Sequence, residues 1–292
     1  MSGEGQGLGS PQQTSAALAA GPEDVSGPAL TVAACSDVGR KRTTNEDSFL
    51  IFDLGCRATY PPDVEIVTEI DAPGVLLAVA DGMGGHRSGE IASQLCIDAM
   101  SREFDRMMDL SAANAQVDWE KALVDAVESA HQSVAQAARE NPENYGMGTT
   151  LTAVLLSKQE VTVAQVGDSR AYLFRQGVLT QLTRDQTIAN SLAELNREMP
   201  ADKRIGEMLV QAIGAVERVD VEIRKAVIEP EDQLLVCSDG LYKMLEPADI
   251  TAVLRSCGSL LSRANRLIAC ANAAGGADNI TVLLAEVGQH AA

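Results

Sequence analysis

No apolar run in the chain approaches the ~18–20 residues of a membrane-spanning helix, so no membrane segment is expected. The first residues carry neither a basic start nor a continuous apolar stretch, so no secretory signal is expected there either. The six cysteines, at positions 35, 56, 96, 237, 257 and 270, form no CxxC pair and no Cys/His cluster. That pattern argues against a disulfide framework or a zinc site and for a reduced, cytoplasmic protein. Cations are scarce as well: 23 Lys and Arg stand against 41 Asp and Glu in 292 residues, a net charge of −18. Nucleic acids and anionic membranes need clustered basic residues, so neither is an expected partner. An acidic protein acting on an anionic substrate would need bound cations.

What is present is an ordinary globular balance, 46% hydrophobic and 22% charged. Residues 1–28 are rich in Gly, Ser, Pro, Gln and Ala and nearly devoid of large apolar groups, which predicts a disordered tail. No similar linker follows, and residues 29–288 read as one domain. Within it short β-type runs recur, among them "LTVAACSD", "DSFLIFD", "GVLLAVAD", "VTVAQVGD", "DQLLVCSD" and "NITVLLAEV". Tight turns at 71–74, 158–160 and 175–177 predict antiparallel neighbours. Amphipathic periodicity predicts helices over 88–108 and 118–140, the second capped by Asp118. A second pair is expected over 247–255, with Pro247 at its start, and 259–274. This pattern predicts an α+β fold, with antiparallel sheets packed face to face and helices outside. Residues 183–215 have weak periodicity and read as a helical excursion, either a lid or surface filler.

Four strands end on or begin from an aspartate beside a small or amide residue: Asp81 in "AVADG", Asp168 in "QVGDS", Asp239 in "VCSDG" and Asp278 in "ADNITV". Glu46-Asp47 opens a fifth. One such aspartate is a turn residue; four at the ends of apolar strands imply that carboxylates converge. Converged carboxylates repel unless they are protonated or bridged by cations, and hard cations with oxygen ligands, Mg²⁺ or Mn²⁺, are the natural bridge. Gly82 lets the backbone approach closely enough for its carbonyl to join them. Two metals so held activate a water and stabilise a phosphoryl group in in-line displacement. Arg42, four residues before Glu46, is the candidate for gripping phosphate oxygens.

Taken together, "SDVGRKRTTNEDSF", "LLAVADGMGGHRSGEIAS", "MGTTLTAVLL", "VGDSRAYLFRQGVLTQLTRDQT", "LLVCSDGL" and "GGADNITVLL" resemble the metal-dependent serine/threonine protein phosphatases of type 2C, bacterial branch. The resemblance implies a four-layer αββα sandwich, two antiparallel β-sheets flanked by helix pairs, over residues 29–288. It implies that Asp81 bridges two Mn²⁺ or Mg²⁺ ions and that the Gly82 carbonyl binds one of them. Asp239 and Asp278 then complete the other, while Glu46 and Asp47 bind directly or through water. Asp168 with Asp239 matches a third, weaker metal position, Asn279 is placed to orient Asp278, and Arg42 grips the substrate phosphate. The implied reaction is direct attack of metal-activated water on phosphoserine or phosphothreonine, with no phospho-enzyme.

The chain departs from the family pattern in places. Met83 stands where animal members carry a histidine credited as general acid; His86 is the alternative candidate here. "YKML" follows "SDGL", which brings Lys243 near the expected cleft. Residues 57–73 read as a longer first hairpin, and "LTRDQT" bears on the flap and on substrate choice. The expected partners are phosphoproteins together with the Ser/Thr kinases that modify them, and the expected state is a monomer. A hydrolase of small phosphate esters and an inactive regulatory module are the alternatives.

Overall fold

The computed structural model describes residues 29–70, 74–84, 88–113, 116–158 and 160–288. The tail expected at 1–28 and the candidate acid His86 lie outside these described residues. Strands β1 (Ala29–Asp37), β2 (Asp47–Asp53), β3 (Ala58–Thr59), β4 (Glu65–Glu69) and β5 (Val75–Met83) precede two long helices, α1 (Ser88–Ala112) and α2 (Trp119–Glu140). Strands β6 (Gly148–Thr149), β7 (Leu151–Ser157), β8 (Glu160–Val166), β9 (Arg170–Arg175) and β10 (Val178–Gln181) follow. Short helices α3 (Ile188–Glu194) and α4 (Lys203–Gly206) then lead to β11 (Glu222–Val227) and β12 (Gln233–Cys237). Helices α5 (Asp239–Tyr242), α6 (Pro247–Leu254) and α7 (Leu260–Ala273) precede the last strand, β13 (Ile280–Val287).

The strands form two antiparallel sheets, ordered β10-β9-β12-β13-β1-β4 and β11-β8-β7-β5-β2-β3, with β6 paired to β5. Their central strands are apolar on both faces because each face has its own partner. On β5, Val75, Leu77 and Val79 pack against the other sheet, while Leu76, Ala78 and Ala80 meet α1 and α2. On β13, Leu283 and Ala285 face the sheet interface, and Val282 and Leu284 face α7. Three apolar layers result, and the four-layer αββα sandwich is the observed fold. Asp118 caps α2, its side chain accepting from the Lys121 N–H at 3.1 Å. Pro247 opens α6. All six cysteines are free, and among the described residues no helix is long and apolar enough to cross a membrane.

One topological expectation fails. The turn at 71–74 does not join sheet neighbours: β4 pairs with β1, and β5 with β2 and β7. The chain changes sheets between β4 and β5, and likewise between β3 and β4, so the expected first hairpin is confined to β2 and β3 and residues 60–64 cross from one sheet to the other. A short connection forces antiparallel pairing only when both strands share a sheet; at the edge of a sandwich it also serves as a corner. The turns joining β7 to β8 and β9 to β10 do make hairpins.

Candidate active site

The strand ends gather at one edge of the sandwich, around a cleft of about 280 Å³. Arg42, Glu46, Asp81, Gly82, Asp168, Asp239 and Asp278 all line it, together with Met83, Gly84, Thr150, Glu207, Leu209 and Lys243. Asp47 sits directly behind, opposite Asp81 in the β2–β5 ladder. Both sheets contribute: β2 and β5 supply Asp47 and Asp81, while Asp239, at the start of α5 after β12, and Asp278, two residues before β13, come from the other sheet's side.

Close backbone approaches hold this edge. Gly82 donates its N–H to the Glu46 carbonyl at 3.1 Å, and a Cβ there would lie 2.2 Å from the Gly89 carbonyl oxygen in the first turn of α1. Asp239 opens α5 instead of ending its strand, and Gly240 packs so tightly that a Cβ would lie 2.1 Å from the Asn279 carbonyl oxygen. These two glycines let strand and helix backbones meet where larger residues would hold the carboxylates apart. Asn279 binds the other side of the cleft. Its Oδ1 accepts from the Glu46 N–H at 2.8 Å and its Nδ2 donates to the Val38 and Thr44 carbonyls, both at 2.9 Å. The loop bearing Arg42 and Glu46 is therefore fastened by the Asn279 side chain, while Asp278 is held by the Asn279 backbone N–H at 2.9 Å.

Asp47 is buried, and its Oδ2 accepts from the Ser238 and Thr281 hydroxyls, each at 2.7 Å. Its Oδ1 has no hydrogen-bond partner, and neither has Asp239 Oδ1. Burial, partly offset by the two hydroxyls, pushes the Asp47 carboxyl up to about 7. Burial and then the charges of Asp47 and Asp239 hold Asp81 well above the ordinary carboxylate range. Asp168 is pushed up to about 6, first by burial and then by Asp239. Glu46 is raised by burial against the pull of Arg42.

Two cations answer this acid cluster. Arg42 Nη2 lies 2.7 Å from Asp278 Oδ2, with its side chain 48% exposed. Lys243 Nζ lies 2.5 Å from Asp239 Oδ2 and 3.8 Å from Asp168 Oδ2. Burial opposes the charge on Lys243, but Asp239 and Asp168 outweigh it and keep the ammonium above its ordinary value. Among the described residues no three His, Cys, Asp or Glu side chains form a group that could hold a metal ion.

Sequence reasoning missed Ser238 and Thr281, although each sits within three residues of a predicted site aspartate. It also left open the part of 183–215 that reaches the cleft, namely Glu207 and Leu209. Backbone bridges Thr187–Leu209 and Thr149–Ile213 tie that excursion to the body. "LTRDQT" is an anchor away from the cleft lining. Asp185 grips Arg170 through both oxygens, at 2.9 and 2.6 Å, and Gln186 Oε1 accepts from the Gly167 N–H at 2.8 Å.

The protein phosphatase 2C profile matches residues 65–281. The serine/threonine phosphatase stp of Listeria innocua is 33% identical over 254 residues, covering 86% of this chain and 93% of that protein. The catalytic domain of the serine/threonine protein phosphatase PstP, solved in complex with two manganese ions, superposes with a TM-score of 0.71 at 33% identity. That match covers 90% of this chain and 100% of the domain. The S. agalactiae serine/threonine phosphatase gives a TM-score of 0.73 at 29% identity, over 88% of this chain and 99% of that one. The αββα sandwich, the acid-lined cleft at its edge and these matches agree: the chain belongs to the protein phosphatase 2C family of phosphoprotein hydrolases.

Proposed function

We propose that this chain removes phosphate from phosphoserine and phosphothreonine in proteins, using two Mn²⁺ or Mg²⁺ ions. The observation that supports this most is the meeting of Glu46, Asp47, Asp81, Asp168, Asp239 and Asp278 at one cleft, with Asp47 Oδ1 and Asp239 Oδ1 buried and unpartnered. A buried acceptor without a donor costs about 1–3 kcal/mol, and a divalent cation with a taste for hard oxygen ligands relieves it. In this reading Asp81, the Gly82 carbonyl, Asp239 and Asp278 hold the ions, with Glu46 and Asp47 beside them. Bound there, the ions supply an activated water and neutralise charge on the phosphoryl group.

The chain's own residues do the rest. Asp47 and Asp81 are fixed on adjacent paired strands, so their spacing is set before substrate arrives. Ser238 and Thr281 clamp one oxygen of Asp47 and leave the other free. Arg42, half exposed at the cleft, has donors to spare beyond its contact with Asp278, and its fork suits two phosphate oxygens. Arg42 and Asp278 are partly exposed at the cleft, so a phosphorylated side chain on a folded protein can reach them. A phosphoserine or phosphothreonine substrate is by its chemistry the product of a Ser/Thr kinase, and we place the enzyme opposite such a kinase.

Turnover of a phosphothreonine peptide with added Mn²⁺ tests this, comparing the wild type with Asp239→Asn. Wild-type turnover that is lost in the variant and in chelator is expected. No turnover, or a preference for phosphotyrosine or free nucleotides, overturns it.

A further inference from the structure

The cleft holds a cation that the proposed metal ligands do not need. Lys243 lies one helical turn after Asp239, so α5 brings its ammonium back over the carboxylate that opens the same helix. The contact is to Asp239 Oδ2 alone; Oδ1 is buried and has no hydrogen-bond partner. On its other side the ammonium faces Asp168 Oδ2 at 3.8 Å. Asp168 is itself held by the Tyr242 hydroxyl, which donates to its carbonyl at 2.9 Å and its Oδ2 at 3.1 Å. Tyr242 is fixed in turn by Arg170, whose guanidinium carbon stands 3.5 Å above the ring while Asp185 grips its fork. The result is a built arrangement: one ammonium lies against Asp239 and within 3.8 Å of the buried Asp168 carboxylate.

We propose that Lys243 is a tethered counter-cation that occupies the space between Asp168 and Asp239, so that this chain takes no divalent ion there and works with two ions alone. A divalent ion there would draw on an oxygen of each carboxylate, and the ammonium already takes Asp239 Oδ2 and stands 3.8 Å from Asp168 Oδ2. A point charge on a four-carbon stem suits the role, because it neutralises two acids without imposing octahedral geometry. The resemblance noted from the sequence implies a third, weaker ion at Asp168 and Asp239; in this chain Lys243 stands in its place. The inference rests on the dinuclear reading above and adds to it the identity of the third charge.

The test is the number of Mn²⁺ ions bound per chain, measured by equilibrium dialysis and metal analysis without substrate. Wild-type protein is expected to bind two ions at millimolar Mn²⁺. Lys243→Gln is expected to gain a third, weaker one, and the double variant Lys243→Gln/Asp168→Asn to lose it again. Asp168→Asn alone is expected to lose none, since no ion depends on it in the wild type. Three ions in the wild type, loss of one in Asp168→Asn, or a Lys243→Gln count that stays at two overturns the proposal while leaving the dinuclear centre standing. A wild type that binds no Mn²⁺ overturns both.

Discussion

Asp47 and Asp81 stand opposite each other on β2 and β5, and each has a different kind of support. Asp47 is clamped through one oxygen by Ser238 and Thr281, which come from the other sheet. Asp81 is held through its backbone, its N–H donating to Thr150 Oγ1 at 3.0 Å and its carbonyl accepting from the Thr150 N–H at 2.9 Å. The pair therefore joins the two sheets at the edge where the cleft forms, and the supports of each carboxylate can be probed separately.

Ser238→Ala removes one of the two donors on Asp47 Oδ2 without touching a proposed ligand. The freed carboxylate can rotate, so its spacing from Asp81 is no longer fixed. Losing an orienting contact of this kind typically weakens metal binding about 10- to 100-fold. Calorimetric titration with Mn²⁺ and the Mn²⁺ dependence of turnover should both shift by that amount, with turnover at saturating metal largely recovered. Unchanged affinity would mean that Thr281 alone orients Asp47.

Gly82→Ala tests the close approach of β5 and α1. The added methyl would meet the carbonyl oxygens of Gly89 and Glu46, at 2.2 and 2.6 Å, and both are backbone atoms that cannot swing aside. Overpacking typically costs about 1–3 kcal/mol, and here it also displaces the strand that carries Asp81. A lower thermal midpoint together with a large loss of turnover is the expected result. Full activity at normal stability would show that α1 yields readily.

How far the sequence carried depended on whether a feature is local. β2 matches its apolar run "DSFLIFD" residue for residue, because burial on two covered faces leaves a nearly unbroken apolar string. Asp118 was legible as a cap because its bond spans only three residues. The meeting of Asp81, Asp168, Asp239 and Asp278 at one cleft was legible because they recur at strand boundaries. The sheet change between β4 and β5 was not, since a short turn reads alike whether it closes a hairpin or rounds a corner. Nor was the clamp on Asp47, whose donors are separated from it by about two hundred residues and meet it only through the packing of two sheets. Lys243 was visible as an oddity after "SDGL", but its partners follow from the helical turn that only the fold supplies.

Arg42→Lys keeps the charge and removes the fork. Arg42 already spends one donor on Asp278, and binding a phosphate through two more requires guanidinium geometry. A lost charge-assisted hydrogen bond is worth about 1.5–3 kcal/mol, so kcat/KM on a phosphopeptide should fall roughly 10- to 100-fold, mostly through KM. Bound Mn²⁺ should be unaltered. A fall in metal binding instead would assign Arg42 to holding Asp278 and not the substrate.

His131 offers a pH test away from the acid cluster. It lies on α2 beside the 214–219 segment, and its Nδ1 accepts the Gly214 N–H at 3.0 Å, so that nitrogen is unprotonated in the folded protein. Burial lowers its proton affinity below the ordinary value of 6.5; a backbone bond at Glu217 and the charge of Glu128 oppose this, and Arg139 reinforces it. Arg218 faces the same groove from the 214–219 segment. A group lowered on folding contributes stability that is fully present above its unfolded value and is lost as pH falls through the folded one. Wild-type protein should therefore lose thermal stability between about pH 7.5 and about pH 5.5 beyond what His131→Gln loses over the same range. Amide exchange should locate the loss at 213–217, where protonation of Nδ1 removes the acceptor for Gly214. Because Ile213 pairs with Thr149, next to the residue that holds Asp81, the same acid shift should loosen the cleft wall from behind. Parallel pH curves for wild type and variant would assign His131 to packing alone.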